Sequence, residues 1–245
     1  MLVDELKRFE HSVIGEGSPC VVFLNGFRMN YDTWDKVALD IATEHRVLLY
    51  NRLGVGASSK AETDQVGAVV MRDMNALFSK LNIQRPFLLV AHSFGGIFAN
   101  LYARHYPDNV LGIVFVDATH PEEVAAMDAL KAPTIFNTLN NGIKSIEKIF
   151  YSYKYSEAEC IQQTVLDIQN AGVFPSIPIA VVSGVKNLPF ALKKGYAVHM
   201  HYQQKLLNLS NASKHYLCSK SSHFPQLTEP KIVASAIRET LRKDE

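Results

Sequence analysis

The stretch Leu88-Leu89-Val90-Ala91-His92-Ser93-Phe94-Gly95-Gly96 runs directly into Ile97 to Tyr106. An apolar, strand-like run leads into a serine and then into a helical segment. A strand-to-helix turn this tight holds the serine in strained backbone geometry with its Oγ above the sheet. Small residues at 91 and 95 let strand and helix cross closely, and Gly96 relieves the same crowding. A helix N-terminus beneath Ser93 favours negative charge formed beside it. The same residues also suit an ordinary strand–loop–helix connection with a buried serine, so the flanking pattern has to decide between the two.

Outward from this turn, short β-branched runs alternate with amphipathic segments, the pattern of an α/β domain with a mostly parallel sheet. Strands are expected at 21–24, 46–50, 87–91, 111–116, 179–182 and 215–218, several of them continuous apolar runs suited to cover on both faces. Trp34, Val37, Ala38, Ile41 and Ala42 recur at helical spacing after a possible cap at Asp32, as do Val66, Val69, Val70, Leu77, Phe78 and Leu81. A last helix is expected from Pro230, burying Ile232, Val233, Ala236, Ile237 and Leu241. Residues 121–178 break the alternation: helix-like stretches with Gly and Asn interruptions and an aromatic cluster at Phe150, Tyr151, Tyr153 and Tyr155. An insert of this length after a strand whose C-terminal end faces a site suits a lid, with a peripheral helical decoration as the alternative.

The 245 residues carry 25 Lys plus Arg against 24 Asp plus Glu, a formal charge of +1, with 47% hydrophobic residues. One globular domain is expected, and with neither a basic excess nor a basic run, nucleic acid is an unexpected partner. Cys20, Cys160 and Cys218 are far apart, with no Cys-x-x-Cys and no clustered His to complete a zinc site, and a reducing compartment fits best; neither a metal nor an organic cofactor is expected. The first ten residues carry charges of both signs rather than a secretory pattern, and the apolar runs are too short to span a bilayer. The expected location is the cytoplasm.

Two further segments carry chemistry. Phe23-Leu24-Asn25-Gly26-Phe27 ends a strand in a glycine turn, where the backbone N–H of Phe27 could point at the same oxyanion as that of Phe94. Ser221-Ser222-His223-Phe224-Pro225 follows the final strand, on a loop from which an imidazole can reach a serine while its other nitrogen meets a carboxylate. His92 and His120 are read as packing or polar-turn residues.

Through the Asn-Gly turn, Trp34, Asn51-Arg52-Leu53-Gly54-Val55-Gly56-Ala57-Ser58, the Ser93 turn and the His223 loop, the chain resembles the α/β-hydrolase superfamily from about residue 10 to 243. The resemblance implies an eight-stranded, mostly parallel sheet, a Ser, acid, His triad in that chain order, and a cap inserted after the sixth strand. That strand is the 111–116 run, so the cap is the 121–178 insert. The chain departs from the family pattern in carrying Ala91 as the first small residue of the serine motif and Asn25-Gly26 where many relatives have His-Gly. The usual acid loop after the seventh strand reads Ser183-Gly184-Val185-Lys186-Asn187, without a carboxylate.

No Asp or Glu occurs between Asp167 and Glu229, so an acid lying between Ser93 and His223 in the chain must be Asp108, Asp117, Glu122, Glu123, Asp128, Glu147, Glu157, Glu159 or Asp167. Only Asp117 sits directly at a strand end. Glu122 is the second choice, and Asn187 could orient a histidine without stabilising its cation. The expectation is a serine hydrolase acting on a small, partly apolar acyl substrate through Ser93, Asp117 and His223, with the N–H groups of Phe27 and Phe94 as oxyanion hole. Dehalogenases and epoxide hydrolases of the family use a carboxylate where this chain has Ser93. Esters, thioesters, lactones, acyl transfer and carbon–carbon bond hydrolysis stay open. So does a non-catalytic ligand-binding or interaction protein of the same fold, and the oligomeric state is open too.

Overall fold

Along each strand, alternate side chains fall on opposite faces. In the computed structural model, which describes residues 8–130, 157–186 and 193–242, this alternation sorts the apolar runs into two cores. Val22, Leu24, Leu48, Leu89, Ala91, Ile113, Phe115 and Val181 fill one, and Val21, Phe23, Val47, Leu88, Val90, Val114, Val116 and Val182 fill the other. Both faces are covered, so these strands need no polar alternation.

The strands are β1 His11–Ile14, β2 Val21–Leu24, β3 Val47–Tyr50, β4 Phe87–His92, β5 Val110–Val116, β6 Ile179–Gly184 and β7 Ser213–Cys218. They form one sheet in the order β1-β3-β2-β4-β5-β6-β7, with β1 antiparallel to β3 and the other pairings parallel. The sheet thus has seven strands rather than eight among the described residues: β1, absent from the sequence-based set, is its N-terminal edge, and residues 1–7 lie outside them. A lone four-residue edge strand of intermediate burial gives little periodic signal.

A 3-10 turn at Tyr31–Trp34 leads into helix α1 Asp35–Ile41, and α2 Gly67–Lys80 and α3 Gly95–His105 follow. Asp32 makes no side-chain cap; it lies inside the 3-10 turn. Of the expected cap, the described part comprises α4 Pro121–Leu130 and α5 Ile161–Asn170. The aromatic cluster at 150–155 lies outside the described residues, as does Asn187. Helix α6 Lys193–Leu207, which the periodicity did not reveal, follows β6, and short α7 Pro225–Thr228 precedes α8 Pro230–Leu241. Helix α6 escaped because its buried side is partly polar, with Gln203 alongside Leu206.

Because β2 lies between β3 and β4, the chain leaves β2 toward one sheet edge and β4 toward the other. Loops departing in opposite directions open a crevice at the carboxyl ends of these two strands. The Asn25-Gly26 turn and the Ser93 turn flank it. Below, Phe78 is fully buried against Tyr50, Phe87 and Tyr102, with ring centroids 5.2 to 6.2 Å apart. Phe78→Ala is expected to cost about 3 to 5 kcal/mol and to lower Tm by roughly 10 °C in a thermal melt.

Candidate active site

Ser93 has φ +49°, a left-handed conformation that few non-glycine residues adopt. Its amide donates to the Val116 carbonyl at 3.2 Å, and its own carbonyl accepts from Gly96 N–H at 3.0 Å and Thr119 N–H at 2.9 Å. The strained residue is therefore fastened both to its helix and to the loop after β5. Gly95 permits the crossing: a Cβ there would lie 2.6 Å from the Leu24 carbonyl oxygen and 2.8 Å from that of Asn25. The Phe27 and Phe94 rings pack at 5.6 Å, so the two turns lie side by side.

Asp117 sits one residue beyond β5, also at positive φ (+44°), with its amide bonded to the Val182 carbonyl at 2.7 Å. Its side chain is almost fully buried. Oδ1 accepts the Gly184 N–H at 2.9 Å, and Oδ2 accepts from His223 Nδ1 at 2.7 Å. His223 Nε2 in turn faces Ser93 Oγ at 3.0 Å. Ser93, His223 and Asp117, the residues expected from sequence, thus form one continuous hydrogen-bonded line. Glu122 stands apart, its carboxylate exposed and paired with Lys205.

The loop bearing His223 is tied down by His92, whose Nε2–H donates to the His223 carbonyl at 2.8 Å. Burial pushes the His92 pKa down to about 3, so the ring stays neutral. It lies against the rings of Trp34, His223 and Phe224. Its expected role as a packing residue is thereby sharpened, since it anchors the loop by a hydrogen bond. His120, by contrast, stacks on Tyr202 and accepts the Glu122 N–H at 3.1 Å.

Helix α6 adds a residue that the sequence reading missed. His199 Nδ1 donates to Glu123 Oε1 at 2.7 Å, and its Nε2 lies 3.2 Å from Asp117 Oδ2, an ion-pair contact rather than an aligned hydrogen bond. Burial opposes a charge on both His199 and Asp117, but the mutual attraction prevails. Asp117 and Glu123 hold His199 well above the usual histidine range, and His199 with His223 holds Asp117 well below the usual carboxylate range. Two polar residues one turn apart, His199 and Gln203, on a helix without a full apolar stripe are the signal that could have found it; the Gln203 amide donates to the Ala118 carbonyl at 2.7 Å. Among the described residues, no cluster of His, Cys, Asp and Glu could hold a metal ion, and no helix is long and apolar enough to cross a membrane.

On the other side of the crevice, Asn25 donates to the Tyr50 carbonyl and to Asn51 Oδ1 and accepts from Trp34 Nε1, at 2.9 to 3.0 Å. Arg52 donates to the carbonyls of Asn25 at 2.8 Å and Gly26 at 3.3 Å. It also pairs through two nitrogens with Glu157 from the 121–178 insert and sits 5.0 Å over the Phe98 ring.

Residues 19–140 match the family described as alpha/beta hydrolase fold. The chain belongs to the α/β-hydrolase superfamily. It is 23% identical to the uncharacterized protein YqjL of Bacillus subtilis over 91% of this chain and 83% of that protein. To a fluoroacetate dehalogenase from Burkholderia sp it is 32% identical, over 43% of this chain and 36% of that protein. A thermophilic esterase from Thermogutta terrifontis superposes with TM-score 0.64 at 19% identity, covering 96% of this chain and 93% of the other. An enol-lactonase from Burkholderia xenovorans does so with TM-score 0.65 at 16% identity, covering 96% of each.

The Arg52–Glu157 pair is 4% and 6% exposed. Removing one partner strands a buried charge, so Glu157→Ala is expected to cost about 3 to 5 kcal/mol. Urea unfolding, read as a lowered midpoint at constant slope, checks this.

Proposed function

We propose that the chain is a serine hydrolase that cleaves a carboxylic ester or a related acyl bond of a small, partly apolar substrate. The observation that carries this reading is the line from Ser93 Oγ through His223 to Asp117, with steps of 3.0 and 2.7 Å. His223 takes the hydroxyl proton, Ser93 attacks the acyl carbonyl, and Asp117 fixes the tautomer with hydrogen on Nδ1 and stabilises the imidazolium. The negative oxygen is received by the N–H groups of Phe27 and Phe94, each such donor contributing on the order of a hundredfold or more. Collapse expels the alcohol with a proton from His223. A water deprotonated by the same ring then attacks the acyl-enzyme, and the acid leaves as Ser93 regains its proton. No step calls for a metal or organic cofactor.

The named neighbours include an esterase and an enol-lactonase, which favours an acyl–oxygen bond. The similarity to a dehalogenase is outweighed by Ser93, since the family's dehalogenases are expected to carry a carboxylate there. Residues 121–178 serve as the lid in this reading. Three unpaired cysteines, Cys20, Cys160 and Cys218, support a cytoplasmic location.

A fluorophosphonate probe is expected to label Ser93, and short p-nitrophenyl esters to be turned over, with both lost in Ser93→Ala. Neither labelling nor turnover in the unaltered chain would reject the hydrolase and favour a ligand-binding member of the fold. Asp117→Asn is expected to lower kcat by about three to four orders of magnitude while the protein stays folded. Glu122→Gln, on the exposed Lys205 pair, is expected to leave kcat within about twofold; near-normal turnover in Asp117→Asn would overturn the acid assignment.

A further inference from the structure

His199 lies on helix α6, far in sequence from the segments that carry the proposed chemistry, yet both of its ring nitrogens face carboxylates. Nδ1 meets Glu123 Oε1 at 2.7 Å and Nε2 meets Asp117 Oδ2 at 3.2 Å. A neutral imidazole carries one N–H and one lone pair, so one of these contacts would set a lone pair against a carboxylate oxygen. Only the imidazolium presents a hydrogen and a positive charge to both carboxylates, as a hydrogen bond at Nδ1 and an ion-pair contact at Nε2. The placement is built from three separate elements: Asp117 after β5, Glu123 on α4 and His199 on α6. Glu123 is itself fixed, because its second oxygen accepts the His120 N–H at 3.2 Å.

We propose that His199 is a positioning residue of the Ser93–His223–Asp117 line, clamped between Asp117 and Glu123 so that its imidazolium orients the Asp117 carboxylate and tempers that carboxylate's pull on His223. This rests on the hydrolase reading above. Asp117 Oδ2 is shared, facing His223 Nδ1 and His199 Nε2, and the two imidazole rings lie 6.3 Å apart, edge to face. A positive charge at that separation repels the imidazolium that His223 becomes when it takes the Ser93 proton. The other titratable groups near α6 do not supply this charge. His92 is neutral, His215 on β7 is pushed down by burial, Tyr196 donates to the Gly184 carbonyl, His120 is pushed down by burial, and Glu122 and Lys205 neutralise each other at the surface.

The sign of the effect is fixed. Replacing His199 by a neutral amide removes that positive charge, so the imidazolium of His223 becomes easier to form. In His199→Gln and His199→Asn, the acidic limb of the kcat/KM profile for a p-nitrophenyl ester is expected to move up by about one pH unit. Residual activity at alkaline pH and an intact thermal transition in either variant establish that the fold survives. Independently of turnover, 15N-labelled histidine spectra of the full chain, with His199 assigned by its loss in the variants, are expected to show an imidazolium at pH 7.5. An active enzyme whose acidic limb stays within about 0.2 unit in both variants, or a His199 ring that is neutral at pH 7.5, overturns the proposal alone. Absence of both probe labelling and turnover in the unaltered chain removes the hydrolase reading, and this role with it.

Discussion

A carboxylate that is 3% exposed, as Asp117 is, must be met by donors on every side or it takes up a proton. The desolvation of such a group costs several kcal/mol, and only short, charge-assisted contacts offset it. Here Gly184 N–H occupies one oxygen while His223 and His199 face the other. Each contact dictates structure elsewhere. The bond from Gly184 needs the end of β6 beside the turn after β5, and there Gly184 also lies so close to the loop after β7 that any Cβ on it would overlap the Ser222 carbonyl. The contact from His199 requires α6 to pack with a polar face inward, and the contact from His223 requires a loop held in place by His92.

Strain is stored at two adjacent strand ends, Ser93 after β4 and Asp117 after β5, both with positive φ. Such positions cost roughly 1 to 3 kcal/mol each and persist only when surrounding bonds over-determine them. The determination is visible in the backbone: Ser93 N–H to Val116, Thr119 N–H to Ser93, and Asp117 N–H to Val182 link β4, β5 and β6 crosswise at their ends. The same bonds that continue the sheet therefore aim two side chains out of it toward one point. Neither side chain would converge on His223 if the strands ended in ordinary extended geometry.

This explains what was legible in the sequence. The strands 21–24, 87–91, 111–116 and 179–182 could be read because complete burial on both faces leaves a continuous apolar run. Ser93 was legible because its turn demands small neighbours, Asp117 because acids are absent over a long stretch, and His223 because it follows the last strand. What stayed hidden lacks a local signature. His199 is recruited by two carboxylates distant in sequence, and Glu123, although among the possible acids, was indistinguishable from any first-turn glutamate. Helix α6 carries no clean stripe because polar Gln203 is satisfied inside by Ala118 and Ser183. The Arg52–Glu157 pair joins residues more than a hundred positions apart.

That pair also bears on how the proposed oxyanion donor is aimed. In a trans peptide the C=O of one residue and the N–H of the next point in opposite directions. Arg52 holds the Gly26 carbonyl on its own side of the turn, so the Phe27 N–H is directed away from Arg52. A lysine could not replace it: the planar guanidinium binds the Asn25 and Gly26 carbonyls and both Glu157 oxygens at once and lies over Phe98. As a source of stability a buried ion pair is weak, because desolvation of both groups consumes most of the Coulomb gain. Its contribution is geometric, fixing the direction of one peptide plane and tying the turn that bears it to Glu157 of the 121–178 insert.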